Sequence, residues 1–300
     1  MTALVFRDFD QADLDAQYNN RGMVPEFATH VGRWTAESER ARAELTPRLG
    51  LAYGGRPREV IDLYPARATS GPAPVLVFVH GGYWQTMERD RFGFVALPFA
   101  DAGVMTAVVE YDLCPAVTMD EIMRQVRRAL AWLWRHVGAL GGDPARLHVA
   151  GHSAGGHLTA VALATDWPAE DAGLPADLVK GGIAISGLYD LEPIRLCYLN
   201  QALGLDAEAA WRNAPLHHLP RHLPDGGAGE LVLAVGARES VEFHRQDDAF
   251  AEAWGARGLP LRRVALPGRN HFTALEALVE PDHALHRATL RQIRASAPAT

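Results

Sequence analysis

An α/β fold, with a mostly parallel central sheet and helices on both faces, is predicted by three observations. Short apolar, β-branched runs alternate with longer helical patterns from about residue 59 onward, the rhythm of strands joined by helical crossovers. One run, Leu147-His148-Val149-Ala150, leads into Gly151-His152-Ser153-Ala154-Gly155 and then a helix-compatible stretch, which makes a sharp strand-to-helix turn with serine at its apex. Residues 187–229 break the rhythm directly after a predicted strand. Open α/β sheets bind ligands beyond the carboxyl ends of their strands, so this insertion is expected to roof a site as a small cap or lid.

In chain order, strands are expected at 59–64, 75–79, 104–110, 147–150, 182–185, 231–235 and 261–266, with a short edge strand near 51–53. Helices are expected at 88–102, 119–136, 155–164, 241–256 and 283–297, where apolar residues recur at spacings of three and four. Thr118 and Glu121 fit a capping box ahead of the second of these. The insertion holds only short helical patterns such as 206–213. The first 50 or so residues form an arm with no strand signal, a helical pattern over 34–49 and the polar run Tyr18-Asn19-Asn20-Arg21. With no repeat or flexible linker, the 300 residues read as one domain.

Composition excludes several classes of function. A hydrophobic share of 48% with 22% charged residues is ordinary for a globular enzyme. Acidic residues outnumber basic ones, 36 to 29, and no basic run is long enough to track a phosphate backbone, so no nucleic-acid partner is expected. The densest basic stretch, Arg124 to Arg135, reads as the solvated face of an amphipathic helix. No apolar run approaches the roughly 18 residues of a membrane span, and the N-terminus carries no secretory pattern. Cys114 and Cys197 are too few for a disulfide framework. A cytoplasmic protein acting on a small molecule is expected, with its oligomeric state, a homodimer included, left open.

The chemistry begins at Ser153. The glycines of the elbow permit a strained backbone at the serine and a close strand-helix approach. A nucleophilic serine also needs oxyanion donors, a base and an acid. Val75 to Val79 ends in His80-Gly81-Gly82-Tyr83-Trp84, a glycine-rich turn whose backbone N–H groups become available. Gly82 and Tyr83 are the favoured donors, joined by Ala154, the residue after the serine. Gly81 is expected to supply the turn, with His80 and Trp84 buttressing it.

Among 13 histidines, His271 stands at a carboxyl strand end after Pro267-Gly268-Arg269-Asn270. His283 and His286 fall within the last helix, and His217, His218 and His222 within the insertion. None has metal-site spacing, and no cofactor is expected. The acid should follow strand 231–235, where Glu239 fits, with Asp190 as the rival and Asp247 and Asp248 expected to point away. Trp84, Leu188 and Tyr189 are candidate substrate-pocket residues beside strand ends, with core packing as the alternative for each.

With these residues in hand, the chain resembles the arylformamidases, or kynurenine formamidases, in the hormone-sensitive-lipase-like branch of the α/β-hydrolases. His80-Gly81-Gly82-Tyr83-Trp84 matches that family's H-G-G-x-W. Gly151 to Leu158 looks like its elbow, Glu239 to Gln246 is similar to its acid-bearing segment, and Asn270-His271-Phe272 to its histidine turn. The departure is Glu239, where family members commonly carry Asp. The resemblance implies a metal-independent serine hydrolase that cleaves N-formylkynurenine to kynurenine and formate. A broad carboxylesterase with the same machinery is the alternative. A non-catalytic binder, like the plant gibberellin receptors of this branch, is the third reading.

Overall fold

The computed structural model describes residues 3–67, 69–220 and 229–296. Its centre is an eight-stranded sheet in the order β1-β2-β4-β3-β5-β6-β7-β8. The strands are β1 (Arg48–Ala52), β2 (Val60–Tyr64), β3 (Ala73–Val79), β4 (Met105–Val109), β5 (Gly142–His152), β6 (Val179–Ile185), β7 (Glu230–Gly236) and β8 (Leu261–Leu266). β1 pairs antiparallel with β2, and β2 with β4; every later pairing is parallel.

Strand alternation sorts the interior into two cores. Val75, Val77 and Val79 of β3, with Leu147 and Val149 of β5, face the helices Met119–His136, Ala154–Ala164 and Val241–Ala256. Leu76 and Phe78, with Ile183 and Ile185 of β6, face Phe27–Leu45, Ala96–Asp101 and Ala284–Ala295. Burial on both faces explains why the central strands read as continuous apolar runs.

Some local expectations are revised. The helix expected at 88–102 is two short 3₁₀ turns, Arg89–Arg91 and Gly93–Val95, followed by Ala96–Asp101. Glu88 is extended, and Gly93, a poor helix former, lies so close to the Tyr64 hydroxyl that a Cβ would collide with it. The arm's helix runs Phe27–Leu45 and stops where Thr46 turns left-handed, so Arg48 to Leu49 begin β1 instead of ending a helix. Only half of the expected capping box forms. Thr118 Oγ1 accepts from the Glu121 N–H, while the Glu121 carboxylate turns to Arg124 and Arg128. His283 caps the last helix, and residue 297 lies outside the described residues, as do 221–228 of the insertion, His222 included.

Candidate active site

Three strand ends, those of β3, β5 and β8, line one cavity of about 310 Å³, and β7 supplies a residue behind it. β5 delivers Ser153 with φ 59° and ψ −120°, a conformation that L-residues adopt only under local constraint. Packing supplies that constraint. A methyl group at Gly155 would overlap the Val79 carbonyl oxygen, one at Gly151 the Gly155 carbonyl, and one at Gly156 the backbone of Gly187. The Ser153 N–H is held by the Ile185 carbonyl at 2.8 Å.

β3 delivers the glycine-rich turn. A Cβ at Gly81 would stand 2.6 Å from the His152 carbonyl oxygen and 2.9 Å from Ser153 Cβ, so this turn and the elbow are in backbone contact. Gly82 sits at φ 113°, Tyr83 at φ 50° and Trp84 at φ 57°. Among the described residues, the backbone N–H groups of Gly82 and Tyr83 have no protein acceptor, and both residues line the cavity. Ala154 opens its helix, where the first N–H groups have no intrahelical partner.

Buried side chains brace the turn from beneath. The His80 ring bonds through Nδ1 to the Gly81 carbonyl at 2.8 Å and through Nε2 to Glu110 at 3.0 Å, stacked 4.3 Å from Tyr111. Burial raises the pKa of the Glu110 carboxyl, but hydrogen bonding to His80, with Arg58 nearby, outweighs it and leaves a net lowering.

β7 and β8 deliver Glu239 and His271. Glu239 Oε2 lies 2.6 Å from His271 Nδ1, and Oε1 accepts from Ser186 Oγ at 2.6 Å and the Gly236 N–H at 2.7 Å. The Glu239 side chain is 0% exposed and that of His271 6%. The two turns are joined by the Arg238 N–H donating to the Arg269 carbonyl. His271 opens a helix capped by Asn270, whose side chain accepts from the Phe272 and Thr273 N–H groups. The rings of His152 and Phe243 lie 4.6 and 4.8 Å from the His271 ring. His152 Nε2 bonds to the His271 carbonyl, and burial, reinforced by the neighbouring His271, pushes the His152 pKa well down, keeping it neutral.

The rival acid is engaged elsewhere: Asp190 pairs with Arg245 at 3.1 Å, and Asp247 and Asp248 pair with Arg263. The expected pocket residues Trp84, Leu188 and Tyr189 require correction, since all three are fully buried away from the cavity. Trp84 packs edge-on against His157 at 5.0 Å, and Tyr189 stacks on Phe250 at 4.1 Å. Leu188 joins the same core.

The remaining cavity wall comes from residues that motif reading missed. Asn19, Asn20 and Arg21 enter from the arm, Trp34 from its long helix, Tyr198 and Leu199 from the insertion, and Met87, Phe92 and Phe272 from loops or helix starts near strand ends. Asn20 Nδ2 donates to the Tyr83 hydroxyl at 2.9 Å, which itself donates to the Tyr18 carbonyl at 2.8 Å. Gln85 Nε2 donates to the Leu199 carbonyl, and the Tyr198 N–H to Asp15. Arm, glycine-rich turn and insertion are thereby tied together over the cavity. The one available sequence signal was the run Tyr18 to Arg21, polar residues with no surface-helix periodicity.

The BD-FAE family model matches residues 61–170, from β2 through the helix after Ser153. Over 96% of its length the chain is 33% identical to a kynurenine formamidase of Salmo salar and 30% identical to one of Danio rerio, in each case covering 98% of the relative. The chain belongs to the kynurenine formamidase family. A solved Silicibacter sp. structure described as a thioesterase superposes with a TM-score of 0.77 at 30% identity, covering 94% of this chain and 99% of that one. The family's fold here is that of the α/β-hydrolases, and the chain is a serine hydrolase of acyl amides or esters. Among the described residues, no helix of this family member is long and apolar enough to cross a membrane.

Proposed function

We propose that this protein hydrolyses N-formylkynurenine to kynurenine and formate, with Ser153 as nucleophile, His271 as base and Glu239 as acid. The observation that carries the reading is the union in one cavity of Ser153, the Glu239-linked His271 and a wall of Trp34, Phe92 and Phe272 suited to a flat aryl group. The end-to-end match to kynurenine formamidases supports the substrate.

With the Glu239 carboxylate accepting at Nδ1, the His271 proton sits on that nitrogen and Nε2 is left as the acceptor. Nε2 takes the Ser153 proton as Oγ attacks the formyl carbon, and Glu239 stabilises the imidazolium that forms. The carbonyl oxygen, now an oxyanion, is met by the N–H groups of Gly82, Tyr83 and Ala154. Removing one such donor costs about 3 kcal/mol in comparable sites. His271 then returns the proton to the departing aryl amine, and water, deprotonated by the same imidazole, releases formate from Ser153.

In this reading residues 187–229 act as the lid and the arm as its support, within one domain. Tyr198 and Leu199 at the cavity support that role. The free, buried Cys114 and Cys197 suit a cytoplasmic setting.

The test is kcat/KM on N-formylkynurenine against short p-nitrophenyl esters. Higher efficiency on the formamide is expected. Turnover of esters without the formamide would replace this reading by a carboxylesterase, and failure of a fluorophosphonate probe to label Ser153 would count for a binder.

A further inference from the structure

Among the described residues that line the cavity, Arg21 alone carries a fixed charge. No described Asp or Glu lines it, and Glu239 is shielded behind His271. Arg21 is exposed, and among the described residues it forms no ion pair. Its guanidinium lies 5.3 Å over the Phe27 ring, with Nη2 3.5 Å from Thr86 Oγ1. These contacts orient the cation without neutralising it. The same cavity is lined by Asn19, Asn20 and the exposed Tyr198, all neutral hydrogen-bonding groups, and by the buried rings of Trp34, Phe92 and Phe272.

An unpaired cation in an otherwise neutral cavity concentrates anions there, and the planar guanidinium fork matches a carboxylate. We propose that Arg21 is a specificity-determining residue, binding a carboxylate carried on the leaving-group side of the substrate, remote from the bond that Ser153 attacks. The inference rests on the proposed reading only in taking Ser153 as the nucleophile of this cavity; it is independent of whether the acyl group is held as an amide or an ester.

Two matched pairs test it: formanilide against 3-(2-formamidophenyl)propanoate, and phenyl acetate against 3-(2-acetoxyphenyl)propanoate. In each pair that is turned over, the wild-type protein is expected to favour the anionic member about ten-fold or more in kcat/KM, the scale of a charged hydrogen bond. Arg21→Gln should collapse that ratio, acting mainly through KM. Arg21→Lys should retain part of it, and 0.5 M salt should reduce it. A ratio near one in the wild type, or an unchanged ratio in Arg21→Gln, overturns the proposal. Hydrolysis of the ester pair without the formamide pair overturns the formamidase reading and leaves the ester ratio to decide Arg21. If neither pair turns over, calorimetry with 3-(2-aminophenyl)propanoate and aniline decides it: tighter binding of the anion, lost in Arg21→Gln, supports the role, and equal binding refutes it.

Discussion

The strand-end side of the cavity and the side facing it are built by different physics. Ser153, Glu239, His271 and the Gly81 to Tyr83 turn follow β5, β7, β8 and β3, whose pairing fixes where each turn begins. Asn20, Arg21, Tyr198 and Leu199 lie on segments outside the sheet, held by side-chain contacts such as Asn20 to Tyr83 and Gln85 to Leu199. The first side gains its geometry from cooperative backbone pairing. The second gains it from a few hydrogen bonds, each contributing about 1 kcal/mol. On the proposed reading, chemistry falls on the rigid side and selection on the softer one.

Substitutions on the two sides should therefore separate rate from recognition. Ser153→Ala is expected to lower kcat by about 10⁴-fold or more with little change in melting temperature, read by steady-state kinetics and calorimetry. Residual turnover near the wild-type rate would show that the strand-end side is not where the reaction occurs. Glu239→Gln should lower kcat about 10²- to 10⁴-fold, because the amide cannot stabilise the imidazolium as a carboxylate does. Glu239→Asp should fall between, since its shorter reach must serve Ser186, Gly236 and His271 together.

Acid should attack the same side. His148 and His152 on β5 and His157 in the following helix are buried, and burial lowers the pKa of His148 to about 3 and of His157 to about 4. A lowered folded-state pKa means the unfolded chain binds the proton first. Stability is then full above about pH 6.5 and declines as pH falls from there toward about 3, by on the order of a few kcal/mol. Urea unfolding at pH 7.5 and 5 should show the loss, and replacing His157 with Gln should make it shallower.

The smallest effect is expected opposite. Tyr18 is fully buried, and its hydroxyl donates to Glu242 at 2.8 Å while accepting from Gln246 at 3.2 Å. Tyr18→Phe leaves Glu242 paired with Arg245, so the cost is about 1 kcal/mol of stability, with KM raised a few-fold and kcat nearly kept. A fall in kcat matching that of Glu239→Gln would erase the distinction between the two sides.

The same contrast explains what was legible in the sequence. The central strands β3, β4, β6 and β7 and the C-terminal half of β5 are visible because burial on two faces writes continuous apolar runs, and Ser153, Glu239 and His271 are visible because each follows an expected strand at a turn. The 89–101 segment was not, because its spacing of apolar residues mimics a helix while Gly93 must approach Tyr64. Trp84, Leu188 and Tyr189 were misplaced because proximity to a strand end does not say which way a side chain points. Tyr189 turns to Phe250 while its N–H donates to Gln246, a contact spanning 57 positions in the chain. Arg21 and Tyr198 reach the cavity only through such long-range contacts, which leave no periodicity behind.

Gly81 acts beyond its own turn. Its missing side chain lets the turn after β3 rest directly on Ser153, while β3 and β5 are aligned with Val79 opposite Gly151. The spacing between the serine and the N–H groups beside it is thus a calibration set by sheet register and backbone contact. Such a gauge holds whatever occupies the cavity, so the wall can be rebuilt around a new molecule without resetting that spacing.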